Sequence, residues 1–241
     1  MADRAGGAAM SGAPRLSCII PAFNEAPRIT AVLETVLATP WIDEVIVVDD
    51  GSTDATAEIA RGFAARDRNL TLLIQPMNGG KTRAVAAGVA AARGALILLV
   101  DADLEGLTPD HIASLAAPVL EGRADAAVSL RRNAPWPWRA IGLDYISGER
   151  VLPRALLVAH LDRLDTLPRF GLEVFMNRLW IANGLRIAVV RWPGVSSPLK
   201  GAKHGARAGI IADLRMLGDI FQTVRPWEAL AQIATLRSRR I

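Results

Sequence analysis

Two carboxylates one residue apart, Asp101 and Asp103, follow the wholly apolar run Ala95-Leu96-Ile97-Leu98-Leu99-Val100. In an extended chain, residues i and i+2 project to the same side, about 6.5 Å apart at about 3.3 Å per residue. Such a pair can converge on one divalent cation or on a bridged phosphate, although the same two acids also suit a solvated strand end. Other polar clusters also follow apolar runs: Asn24-Glu25, Asp49-Asp50 and Asn78-Gly79-Gly80-Lys81. Carboxylates, a lysine and paired glycines drawn from separate segments are the materials of a site that handles a phosphorylated ligand.

The elements between these clusters alternate. Leu16 to Ile20, Glu44 to Val48, Leu70 to Ile74 and the run ending at Asp101 read as strands. They are apolar along their whole length, as in a parallel sheet covered on both faces. Residues 25–38 carry apolar side chains at Ile29, Val32, Leu33, Val36 and Leu37, a helical spacing. Further helices are expected to about Arg66 and over 81–92, giving successive βαβ units. Ligands bind such sheets at the carboxyl ends of the strands, which is where the polar clusters fall. Beyond Asp103 the sequence predicts a helix over 109–120, a strand over 124–130 and a loop over 131–139. Helix around a Ser147-Gly148 break is expected over 140–160, then a helix over 170–183, a strand over 185–191 and a loop over 196–207. Two closing helices are expected, over about 208–223 and 226–238.

The chain has 241 residues, 51% hydrophobic and 22% charged, with a net charge of +4. That balance describes a globular protein, and the charge is too small to indicate a nucleic-acid partner. It suits an anionic substrate or an anionic membrane surface. The lone Cys18 excludes an internal disulfide and a cysteine metal site. Residues 1–14 read as a disordered leader without the apolar centre of a signal peptide. No apolar run reaches the roughly 18–20 residues of a membrane span. The expectation is a cytoplasmic protein, free or at the cytoplasmic membrane face. Gly80-Lys81-Thr82 matches the end of a phosphate loop, but that pattern needs a glycine at position 75, where Gln75 stands.

Four motifs occur in register over residues 16–105: Ile20-Pro21-Ala22-Phe23-Asn24-Glu25; Val47-Val48-Asp49-Asp50-Gly51-Ser52-Thr53-Asp54; Asn78-Gly79-Gly80-Lys81 with Ala86-Ala87-Gly88; and Asp101-Ala102-Asp103. Together they resemble family-two glycosyltransferases of the GT-A fold. The resemblance implies an α/β protein, a Rossmann-like and mostly parallel central sheet with helices on both faces plus C-terminal helices. It implies a hexosyltransferase-like enzyme moving a sugar from a nucleotide-diphosphate donor, UDP- or GDP-linked, with Mg²⁺ or Mn²⁺. Pro21, Ala22, Asn24 and Glu25 would line the nucleoside pocket, and Asp50 would hydrogen-bond the base. Gly80 and Lys81 would lie beside the base or diphosphate. Asp101 and Ala102 would face the ribose or metal, and Asp103, the family's D-x-D ligand, would bind the metal and support catalysis.

The remainder resembles two branches of the family. Ser147-Gly148-Glu149-Arg150 is similar to the S-G-x-R stretch of dolichol- and polyprenyl-phosphate sugar transferases, which makes Arg150 the candidate grip on an acidic acceptor and a catalytic residue. Gly171-Leu172-Glu173 resembles the G-x-E of glucosyl-3-phosphoglycerate synthases, with Glu173 as base or acceptor-orienting acid. His204 and Arg207 resemble their H-x-x-R, the histidine joining Asp101 and Asp103 at the metal and Arg207 meeting the acceptor. The 150–173 stretch is short for that branch. The acceptor therefore reads as phosphorylated, acidic or lipid-linked, in cell-envelope synthesis, with transfer to a small phosphoglycerate-like acid or a nucleotide-binding module without transferase activity as alternatives. The expected organisation is a catalytic domain over 15–207, divided into a nucleotide-sugar half (15–105) and an acceptor half (106–207). Amphipathic helices over 208–241 would then pack on the domain, on a second subunit of a homodimer, or on a membrane as a peripheral contact.

Overall fold

The computed structural model describes residues 15–164, 167, 171–197 and 224–241. The expected leader, the helix over 208–223, and His204 and Arg207 lie outside the described residues. Seven strands form one sheet: β1 (Leu16–Ala22), β2 (Glu44–Asp49), β3 (Leu70–Ile74), β4 (Leu96–Leu99), β5 (Ala126–Arg131), β6 (Arg150–Pro153) and β7 (Ile187–Trp192), ordered β3-β2-β1-β4-β6-β5-β7. The first four pair in parallel, as do β5 and β7; β6 runs antiparallel to both β4 and β5. The result is a mostly parallel α/β sheet.

Alternate residues of each strand serve opposite faces. Ile19, Ile46 and Ile97 pack under α3 (Lys81–Ala91) and α8 (Gly171–Ala182). Cys18, Val45, Val47 and Leu98 pack under α1 (Ile29–Leu37) and α4 (Pro109–Leu120). Each face is sealed by helices, which is why the strands show no polar alternation. The alanine-rich α3 lies tight on β1: a Cβ on Gly88 would come within 2.5 Å of Ile19. That close approach accounts for the small residues of the third motif. The helix α2 (Thr56–Ala64) completes the second βαβ unit.

Two expectations for the second half need correction. Residues 150–153 form strand β6 rather than continuing a helix, and the short helix α5 (Trp136–Ile141) starts within the expected loop and runs past its end. Strand β6 has only four residues and opens on a charged one, so periodicity could not reveal it. Helices α6 (Arg154–Val158) and α7 (Leu161–Leu164) follow. The last described helix, α9 (Pro226–Ser238), packs on the domain, with Ala229, Gln232 and Leu236 buried. Arg178 of α8 pairs with its Glu228 at 2.7 Å, and Tyr145 donates to Gln232. Among the described residues, no helix is long and apolar enough to cross a membrane.

Candidate functional site

The loops leaving β1 and β2 hold each other. Asn24 sits at φ 56, a left-handed conformation that asparagine tolerates better than most residues. Its Oδ1 accepts from the Thr53 amide at 2.8 Å, and its own amide donates to Ser52 Oγ. The Glu25 amide donates to Thr56 Oγ1. Ser52, Thr53 and Thr56 thus fix the loop geometry, and the Asn24 amide oxygen is already engaged. Asp50 is buried, and its two oxygens accept from the Gly79 and Gly80 amides at 2.9 and 2.7 Å. It shapes the turn that delivers Lys81 to the start of α3.

From there Lys81 spans three elements. Its Nζ lies 2.7 Å from Asp101 Oδ1 and 3.3 Å from Glu173 Oε1. Glu173 occupies the first turn of α8 and is 5% exposed, a placement favoured by the positive end of the helix. Burial alone would lower the lysine's pKa, but the Asp101 and Glu173 carboxylates outweigh it and raise it. Pro21 and Ala22 end β1 beside this cluster's strand, with Ala22 buried like Ala102.

Asp103 has no comparable relief. Burial, then the charges of Asp101 and Glu25, push its carboxyl up to about 6, against the pull of Arg131 and Lys81. Glu25 pairs with Arg28 at 2.7 Å. Carboxylates this crowded fit a divalent cation, which would neutralise them, and their oxygens suit Mg²⁺ or Mn²⁺. Asp101 and Asp103 are the residues that would hold it. Among the described residues no group of three or more acids, histidines or cysteines forms a complete cage, and the expected third ligand, His204, lies outside them.

A second layer stands behind this cluster. Gly148 packs against the Lys81–Asp101 pair so closely that a Cβ would fall 2.6 Å from Asp101 Oδ2 and 2.7 Å from Lys81 Nζ. The next residue, Glu149, is fully buried; its Oε2 accepts from Ser129 and Ser147 and lies 3.3 Å from Arg131 Nε. Arg131 faces Asp144, Asp101 and Asp103 as well, and despite burial its pKa is raised by these acids. Sequence reasoning gave no role to Arg131, Asp144 or Glu149, because each reads as an ordinary solvated charge. The one signal was Ser129, a polar residue inside an apolar strand.

Arg150 requires a correction. It is 1% exposed, and its guanidinium donates to Ser147 O, Asn177 Oδ1 and Tyr145 O while lying 4.9 Å over the Trp180 ring. It braces β6 and the 145–147 segment against α8 and is not presented to a ligand.

Residues 17–171 match the Glycosyl transferase family 2 profile. The chain belongs to glycosyl transferase family 2. Curated relatives include a dolichyl-phosphate beta-glucosyltransferase of Trichomonas vaginalis, 45% identical over 94 residues, covering 35% of this chain and 28% of that one. Another is the dodecaprenyl-phosphate galacturonate synthase of Rhizobium johnstonii, 39% identical over 124 residues, 49% of this chain and 36% of the relative. The chain thus spans about a third of the length of these family members. The glucosyl-3-phosphoglycerate synthase from Mycobacterium tuberculosis, solved with Mn²⁺, UDP-glucose and phosphoglyceric acid, superposes with a TM-score of 0.66 at 22% identity, over 88% of this chain and 80% of that one. This likeness establishes the GT-A fold of the family-two chain.

Proposed function

We propose that this protein transfers a sugar from a UDP- or GDP-linked donor to an anionic acceptor. One observation carries the reading: at the carboxyl ends of the parallel strands of a family-two chain, Lys81 pairs with both Asp101 and Glu173, while Asp103 feels the charges of Asp101 and Glu25. When the sugar–oxygen bond of the donor breaks, the nucleoside diphosphate leaves with new negative charge. A divalent ion held by Asp101 and Asp103 would supply the Lewis-acid charge that stabilises it. Lys81 adds a fixed cation beside the diphosphate. The turn that Asp50 shapes sets Gly79 and Gly80 against the nucleoside, together with Pro21, Ala22 and Glu25. Glu173, buried and facing the same space, accepts or orients the acceptor proton.

Relatives named for dolichyl- and dodecaprenyl-phosphate transfer favour a lipid-phosphate acceptor, in cell-envelope synthesis at a membrane face. The exposed Trp227 and Leu230 of α9, with Arg225 just before the helix, suit such a surface. The structural likeness to a phosphoglycerate enzyme supports a second reading, a small phosphorylated acid. In both, the acceptor anion meets Arg131, the guanidinium that faces the carboxylates, rather than Arg150. The test is a thermal-shift screen of UDP- and GDP-sugars with Mn²⁺, followed by transfer assays with polyprenyl phosphate and phosphoglycerate. A preferred donor raises the melting temperature by an amount that grows with its concentration over its dissociation constant. Absence of stabilisation by every nucleotide sugar, with Mn²⁺ present, overturns the reading.

A further inference from the structure

The contacts of Lys81 carry a consequence for how the site fills. The ammonium, 2.7 Å from Asp101 Oδ1 and 3.3 Å from Glu173 Oε1, ties the start of α3 to the end of β4 and the first turn of α8. The Gly148 backbone walls the pair on one side, leaving no room for even a methyl group. One oxygen of Asp101 is therefore committed to a cation that belongs to the chain. A divalent ion drawing on Asp101 and Asp103 would be repelled by that ammonium. Like charges a few ångströms apart repel, the more so where the surroundings screen less than water. A nucleoside diphosphate reverses the balance, because its negative charge attracts lysine and metal together.

We propose that Lys81 is a built-in counter-cation of the carboxylate cluster, keeping a free divalent ion out until a nucleoside diphosphate arrives to hold both cations. The proposal rests on the donor reading above and specifies the order in which the site loads. Metal and nucleotide then bind with positive coupling, and Lys81 sets the size of that coupling.

Mn²⁺ binding, measured by electron paramagnetic resonance on the full chain, tests this without any turnover. In the absence of nucleotide, Lys81→Gln binds Mn²⁺ about tenfold tighter than wild type, whereas Lys81→Arg, which keeps the charge, behaves as wild type. Adding UDP or GDP tightens Mn²⁺ binding strongly in wild type and much less in Lys81→Gln. Equal or weaker Mn²⁺ binding by nucleotide-free Lys81→Gln overturns the proposal. Should that variant fail to fold, wild type alone decides: equal Mn²⁺ affinity with and without nucleotide also overturns it. If neither nucleotide binds, the donor reading fails, and the comparison of Mn²⁺ affinities without nucleotide still judges the counter-cation.

Discussion

Glu44 and Asp103 are acids at opposite ends of one sheet, and their surroundings contrast at every point. Glu44 stands at the amino ends of the strands. Its Oε2 accepts from Ser17 Oγ and from the Arg93 amide, its Oε1 from Arg93 Nε, and the Gly94 amide completes the ring through Ser17 Oγ. Burial alone would raise its pKa, but these donors hold it below the ordinary glutamate value. Asp103 stands at the carboxyl ends, where burial and neighbouring acids raise it to about 6. Each end also has a glycine in tight contact, Gly94 on Ser17 and Gly148 on Asp101. The amino end closes its hydrogen bonds within the chain and stabilises the fold. The carboxyl end leaves Asp103 crowded by other acids despite Lys81 and Arg131, which is destabilising in the free protein and useful to a ligand that brings opposite charge.

The sharpest test of this contrast is Asp103→Ala. Loss of the less compensated acid should lower transfer about a thousandfold, in line with removing a metal's hold on developing charge. The melting temperature should not fall, because the change removes crowding among Asp101, Asp103 and Glu25. Full metal-dependent turnover in this variant would show that the end is mere surface. Glu173→Gln comes next: kcat should drop about a hundredfold, the usual loss for a general base, while the donor's KM stays near wild type. A drop in donor affinity with kcat unchanged would move Glu173 from proton handling to donor binding.

The amino-acid pattern revealed these two ends unequally. Strands β1 to β4 were legible because both faces are covered, leaving unbroken apolar runs such as Val45 to Val48. The four motifs gained meaning only together, since the parallel topology brings their loops to one edge. The second half was harder. Strand β6 is four residues long, starts with the buried Arg150 and ends in Pro153, so no period announced it. The polar layer of Arg131, Asp144 and Glu149 is assembled by an antiparallel strand pair, and its members are 5 to 18 residues apart. A charge neutralised by a distant partner looks, in one dimension, like a charge neutralised by water. Glu44 had the same disguise: it opens an apolar strand and reads as a boundary residue, although Arg93 and Gly94 lie 49 and 50 positions away.

That makes Glu44→Ala the third test, directed at the opposite end. It strands the Ser17 hydroxyl and the Arg93 amide, and should cost about 1–3 kcal/mol of stability, the price of leaving buried partners unsatisfied. Urea denaturation measures it. Activity of the folded fraction at 25 °C should be unchanged, the reverse of the Asp103 result. A variant of normal stability and reduced turnover would erase the distinction between the two ends.

The smallest effect is the pH dependence of the same group. Glu44 is depressed in the folded protein relative to an unfolded value near 4.5, so the unfolded chain takes up its proton first as pH falls. Its contribution is then fully present above about 4.5 and is lost as pH drops through the folded value. Glu44→Gln keeps the shape and removes the titration. Urea midpoints of wild type and this variant should therefore differ at pH 7, with wild type the more stable, and approach each other at pH 4 and below. A gap that stays constant across that range would mean that Glu44 acts through hydrogen-bond geometry alone, and that its charge is not what separates the amino end of the sheet from the carboxyl end.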